Sequence, residues 1–168
     1  KFGLGRVALD QGVLESAKTY VDEGLEIADK AGARLQSTML LNLKGEIELM
    51  GGHFQPAEIA LAEAISAAEE MGVRRVMVEV LVNRTLLSFA LGNEERAVEW
   101  CDQGMALAEE IDSRPLRVLI LRARGIILAG VDRARSMSAF NCASALLSAM
   151  GASRQLRTIE GLKERLEG

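Results

Sequence analysis

The sequence predicts an all-α protein built from antiparallel helix pairs repeated in tandem, and three observations predict it. Of the 168 residues, 49% are apolar but only 4% are aromatic. The apolar residues are mainly Ala, Leu, Val, Ile and Met, which form or tolerate helices, and runs of β-branched and aromatic residues are few. The only two prolines, Pro56 and Pro115, both fall where a first helical turn would begin, the one place in a helix that does not need their missing N–H. The third observation is that the chain matches itself at a shift of 40 residues, the mark of an internal repeat.

Several columns share that shift. Gly5, Gly45 and Gly125 agree, with Thr85 in the remaining place, and Gly12, Gly52 and Gly92 agree, closed by Asp132. Ala17, Ala57 and Ala97 are followed by Met137, and Ala28, Ala68 and Ala108 by Ser148. Arg34, Arg74, Arg114 and Arg154 form an unbroken set.

Each unit resolves into two helices. The first unit gives helices at about 2–11 and 14–30. In the second, apolar residues at 39, 40, 43, 47 and 50 set a helix over Gln36–Met50. Gly51-Gly52 breaks it, and Pro56–Met71 follows, ended by Gly72 as a left-handed cap. The third unit repeats this with Val76–Leu91 and Glu94–Ile111, the latter capped by Asn93. The fourth gives Leu116–Ala129 and Arg133–Met150, capped by Asp132, with Gly130 and Gly151 allowing a slip of one or two residues. A last helix, Arg154–Leu166, closes the stack.

A glycine inside a first helix costs about 1 kcal/mol relative to alanine, so that column implies a neighbouring helix packed close to bare backbone. Ala57, Ala64 and Ala68 make a small-residue stripe along one second helix, which lets helices nest at the short end of about 8–10 Å. The predicted domain is a single array over 1–168, with units at about 1–34, 35–74, 75–114 and 115–153. The chain begins at Lys1 inside the first helix and is expected to be part of a longer protein.

At LKGEIELMGGHFQPA (43–57) these residues resemble the tetratricopeptide repeat. That family has a glycine in the first helix, a turn glycine seven residues on, an aromatic or apolar residue two further, then alanine. The resemblance covers essentially the whole chain. The units are 40 residues long where the family's are 34, and Lys44, Arg84 and Arg124 stand before the first glycine where the family often has leucine. HEAT and armadillo repeats match the length better, at about 40–47 residues, but lack this Gly–Gly–Ala spacing. The Ala- and Glu-rich second helices are similar in style to those of large bacterial signalling proteins such as MalT-like transcription regulators and multidomain cyclases or kinases.

The resemblance implies a right-handed α-solenoid and a non-enzymatic scaffold. A peptide or partner domain would lie in a concave groove lined by first helices. On that face stand Arg6, Met39, Asn42, Glu46, Glu79, Asn83, Leu86, Phe89, Arg122 and Ile126, with Phe2, Val82 and Leu119 beside them. The groove would run from polar to apolar toward Phe89 and Ile126, which suits a peptide with apolar anchors. Leu86, Phe89 and Ile126 serve equally well as core, and the polar members as a solvated face. Glu79 and Leu119 occupy places that a carboxylate clamp would need for cations.

A second candidate surface is SMSAFNCASALLSAMGAS (Ser136–Ser153), which has no charge. A helix uncharged all round is usually covered on both sides and Arg154–Leu166 can cover one flank only, so Ala139, Cys142, Ala143, Leu146, Ala149 and Met150 are expected to meet another copy or another domain. The third reading is a small-molecule sensor in the apolar half of the groove. Six arginines and one acid between Arg114 and Arg135 could dock an acidic segment or pair with Glu109 and Glu110. The period-40 arginines are expected to reach back to Asp29, Glu69 and Glu109.

A formal net charge of −4 offers nothing global to a nucleic-acid backbone or an anionic membrane, and no apolar run approaches the roughly 18 residues needed to span a bilayer. Cys101 and Cys142 are too few for a disulfide framework or zinc site and are expected as reduced thiols in the cytoplasm. His53, the only histidine, is expected as a turn residue, and no motif points to catalysis, a metal or a cofactor.

Overall fold

The computed structural model describes residues 1–167. They form nine helices and no strand: α1 Phe2–Asp10, α2 Leu14–Lys30, α3 Arg34–Met50, α4 Phe54–Met71, α5 Arg74–Ala90, α6 Glu94–Glu110, α7 Arg114–Leu128, α8 Arg133–Ala149 and α9 Ser153–Glu167. No helix among the described residues is long and apolar enough to cross a membrane. The first helices of units two to four begin at the arginine column itself, two residues before the apolar periodicity starts, because Ala33, Val73 and Ser113 take the N-cap position. The slip in the fourth unit is one residue, with α8 beginning at Arg133 and α9 at Ser153.

Helices pack in successive pairs, α1 on α2, α3 on α4, α5 on α6 and α7 on α8, and each second helix packs on the first helix that follows it. First helices also touch their successors, α1 to α3, α3 to α5 and α5 to α7. No comparably close contact joins α2, α4, α6 and α8 among the described residues. The result is two layers, one of closely spaced first helices and one of more widely spaced second helices, consistent with a tandem helical repeat.

The core follows the same arrangement. It is a row of local clusters, each shared by neighbouring helices: one around Val21 and Leu43, the next around Leu61 and Val80, then Val78 and Ile120, then Phe140 and Ile159. The glycine column explains how the helices of a pair close. A Cβ on Gly45 would stand 2.5 Å from Leu61, and one on Gly5 would stand 3.1 Å from Val21. The period puts Val21, Leu61 and Cys101 in one column, so Thr85, the non-glycine member, falls opposite the small thiol. Thr85 is fully buried and satisfies its hydroxyl by donating to Leu81 O at 2.8 Å.

The turns show what the caps are for. Asn93 Oδ1 accepts from Arg96 N at 3.1 Å and Asp132 Oδ1 from Arg135 N at 2.9 Å, which satisfies one free N–H at each helix start. After the second helices, Gly32, Gly72 and Gly151 have φ of 63°, 66° and 67°, whereas Asp112 holds the same place at 46°. An L-residue resists this left-handed region. Asp112→Gly is therefore expected to stabilise the protein by about 0.5–1 kcal/mol, read as a rise in Tm of about 1–4 °C. Its one ion pair, 3.6 Å to Arg117 from a side chain 94% exposed, offsets little of that gain.

Candidate functional site

Four first helices contribute to one open cleft of about 260 Å³, whose lining includes Arg6, Met39, Asn42, Glu46, Glu79, Asn83 and Arg122. Phe2, Arg75, Val82 and Leu119 complete it. The floor is polar and buried: Asn83 Nδ2 donates to Asn42 Oδ1 at 2.9 Å, and each residue is only 6% exposed. A buried amide is costly unless it is paired, so this bond ties α5 to α3 across unit boundaries. It joins residues 41 apart, one more than the period, because the two side chains lean toward each other from adjacent helices.

Ion pairs fix the walls. Arg6 Nη1 lies 2.8 Å from Glu46 Oε2, spanning α1 and α3, and Arg75 Nε lies 3.2 Å from Glu79 Oε1 within α5. Half-buried Arg122 has no ion-pair partner among the described residues. The cleft therefore presents a free guanidinium, a pair of amides and the apolar surfaces of Phe2, Met39 and Leu119. Arg75 went unforeseen because it sits in the first turn of α5, before the apolar periodicity begins.

Leu86, Phe89 and Ile126 do not line this cleft. Leu86 and Phe89 pack, partly buried, on the core cluster of α5, α6 and α7, and Ile126 packs on that of α7, α8 and α9. The expected apolar end of the groove is thus core-packing surface.

The charge-free helix is partly covered within the chain itself. Ala143 is fully buried in the cluster shared with the chain's own α7 and α9, with Leu146 half-buried in the same cluster, and Ala139 is 5% exposed. Only Cys142, Ala149 and Met150 of the six named residues face outward. The missing charge has an internal cause on two sides, and what remains exposed is a face of small residues including Ser138, Asn141 and Ala145.

The arginines pair differently from expectation. Arg34 reaches forward to Glu70 of its own hairpin at 2.6 Å, because the start of α3 lies beside the end of α4, while Asp29 accepts instead from Ser37 at 2.8 Å. In the arginine-rich stretch, Arg124 pairs with Asp102 and Arg117 with Asp112, rather than with Glu109 and Glu110. Its six members are spread over the start of α7, the groove, the α6 side and the start of α8, so they form no single patch.

Outside the groove, the imidazole of His53 stands in the turn with Nδ1 2.9 Å from Glu48 Oε2, and Lys18 Nζ lies 2.8 Å from Glu48 Oε1. Cys101 is buried and Cys142 exposed, both free thiols. Burial pushes the Cys101 thiol above its ordinary value despite the hydrogen bond from Arg124, so it stays protonated and unreactive. Among the described residues no three of His, Cys, Asp and Glu gather as metal ligands would. Compared with protein-family models and with curated proteins, the chain matches neither a family model nor a curated protein.

Proposed function

We propose that the chain is a non-enzymatic binding scaffold, a tetratricopeptide-like right-handed superhelix that holds a peptide segment of a protein partner in the first-helix groove. The observation that carries this reading is the meeting of seven expected groove residues, drawn from α1, α3, α5 and α7, in one cleft. Closer packing among first helices than among second helices supports a curve with the groove on its inner side. The Asn42–Asn83 pair leaves amide groups at the floor, and an Asn amide both donates to and accepts from an extended backbone. Met39 and Leu119 would flank apolar side chains, and Arg122 would meet an acidic one. The Ala- and Glu-rich second helices favour a setting within a bacterial signalling or transcription-regulatory protein.

Selection from a displayed peptide library against the purified chain tests this. Selected peptides are expected to bind at micromolar Kd, and Arg122→Glu or Glu79→Lys to weaken them at least tenfold, about 1.4 kcal/mol, with helicity by circular dichroism unchanged. Peptides that bind both variants as tightly as the parent chain would remove the groove from consideration.

A further inference from the structure

A second cleft, of about 510 Å³, lies on the other side of α5. It is lined by Glu58 and Leu61 of α4, Arg84, Leu87 and Ser88 of α5, Leu91 and Asn93 of the turn, and Arg96 and Trp100 of α6. The Arg84 and Arg96 guanidinium carbons lie 4.0 and 4.3 Å from the Trp100 ring centroid. Stacking uses the face of a guanidinium and leaves its in-plane N–H donors for an oxyanion.

The repeat supplies its own comparison for this cleft. Arg84 belongs to the column Lys44, Arg84, Arg124. Lys44 pairs with Asp22 at 2.8 Å, and Arg124 pairs with Asp102, each on the preceding second helix and each 22 residues back. The same offset from Arg84 reaches Ala62, an exposed residue of α4. The middle rung has therefore lost its carboxylate while keeping its cation, and Arg84 has no ion-pair partner among the described residues. Glu58 attracts Arg84 from the cleft wall without forming an ion pair. Arg96 donates to Glu99 at 3.0 Å and repels Arg84 across the ring. An unpaired, half-buried guanidinium beside a second one is a place where an incoming carboxylate gains more than at an open surface.

We infer that this cleft binds a carboxylate from an acidic segment of a protein partner, held by the in-plane donors of Arg84, whose guanidinium face rests on Trp100, in place of the carboxylate that Asp22 and Asp102 give the neighbouring units. Leu61, Leu87 and Leu91 give an adjoining apolar side chain somewhere to rest. The site faces away from the first-helix groove and does not depend on it.

Trp100 is the only tryptophan, so its emission reports on this cleft alone. The chain is titrated at constant ionic strength with a capped glycine-rich peptide carrying three aspartates, with the same peptide carrying asparagines, and with sodium phosphate. A saturable change with the aspartate peptide and none with the asparagine peptide is expected, with phosphate binding at least tenfold more weakly. Ala62→Asp supplies the missing carboxylate from within, at a helical position where Asp22 and Asp102 already stand, and is expected to weaken the aspartate peptide at least tenfold with helicity unchanged. Arg84→Gln is expected to do the same and carries the test if Ala62→Asp folds poorly. The inference is overturned by the absence of any response to the aspartate peptide, by an equal response to asparagine, or by preference for phosphate. Unchanged binding in a folded Ala62→Asp or Arg84→Gln variant would overturn it equally.

Discussion

Gly125→Ala is expected to destabilise the protein by about 2–3 kcal/mol, although alanine is the better helix former by about 1 kcal/mol. A Cβ at Gly125 would overlap the ring of Phe140 on α8. That ring is 2% exposed and is packed with Val118, Ala143, Leu147 and Ile159, so it has nowhere to swing. Nearby, fully buried Ser136 donates its Oγ hydrogen to Gly125 O at 2.7 Å, holding α8 against bare backbone. Moving the helices apart to admit a methyl group would stretch that bond and open the cluster. Gly161 of α9 gives the contrast: nothing lies within 4 Å of a Cβ built there, so Gly161→Ala is expected to stabilise by about 0.5–1 kcal/mol. Urea denaturation of both variants checks the pair, and Phe140→Leu should recover part of the Gly125→Ala loss. A neutral Gly125→Ala would mean that the glycine column does not report close packing.

Glu48→Gln is expected to cost about 2–3 kcal/mol at neutral pH. The Glu48 carboxylate is 4% exposed and joins Lys18 of α2, Glu48 of α3 and the His53 turn into one network. Replacing it leaves a buried amide whose N–H₂ must face a lysine or a histidine donor. The magnitude stays below that of a fully buried pair because Lys18 and His53 are 43% and 61% exposed and remain partly hydrated. Burial alone would raise the Glu48 carboxyl. The hydrogen bonds from Lys18 and His53, with their charges, outweigh it and hold the group below its ordinary value of 4.5. A carboxyl depressed in the folded state stabilises fully above its unfolded value and loses that contribution as pH falls through the folded one. The difference between the parent chain and Glu48→Gln should therefore be constant near neutrality and shrink below about pH 4.5. Chemical denaturation at pH 7, 5 and 3.5 measures it, and a gap that stays the same down to pH 3.5 would show that the Glu48 carboxyl is not depressed in the fold.

Both predictions join a local signal to a tertiary partner, and that division runs through the whole molecule. The helices, their order and the Asn93 and Asp132 caps were legible in the sequence, because they depend on periodicity and turn chemistry within a few residues. The polar groove residues were legible as well: the 40-residue repeat carries a position on one first helix onto the same face of the next. The fate of Leu86, Phe89 and Ile126 was not, since an apolar residue on a first helix is groove or core according to which later helix lies beside it. For Ala139 and Ala143 the limit was similar: the last helix was expected to cover one flank of the charge-free helix, but which of its residues would be buried depends on how that helix is rotated. The Arg84 cleft was half legible, as the column Asp22, Ala62, Asp102 was open to view, but its meaning required the pairing of Lys44 and Arg124 across helices. Sequence by itself determined the rods and their beat, which are sums of short-range preferences. Only the tertiary structure decided which charged and apolar side chains find partners, because that depends on how each rod is rotated against neighbours far along the chain.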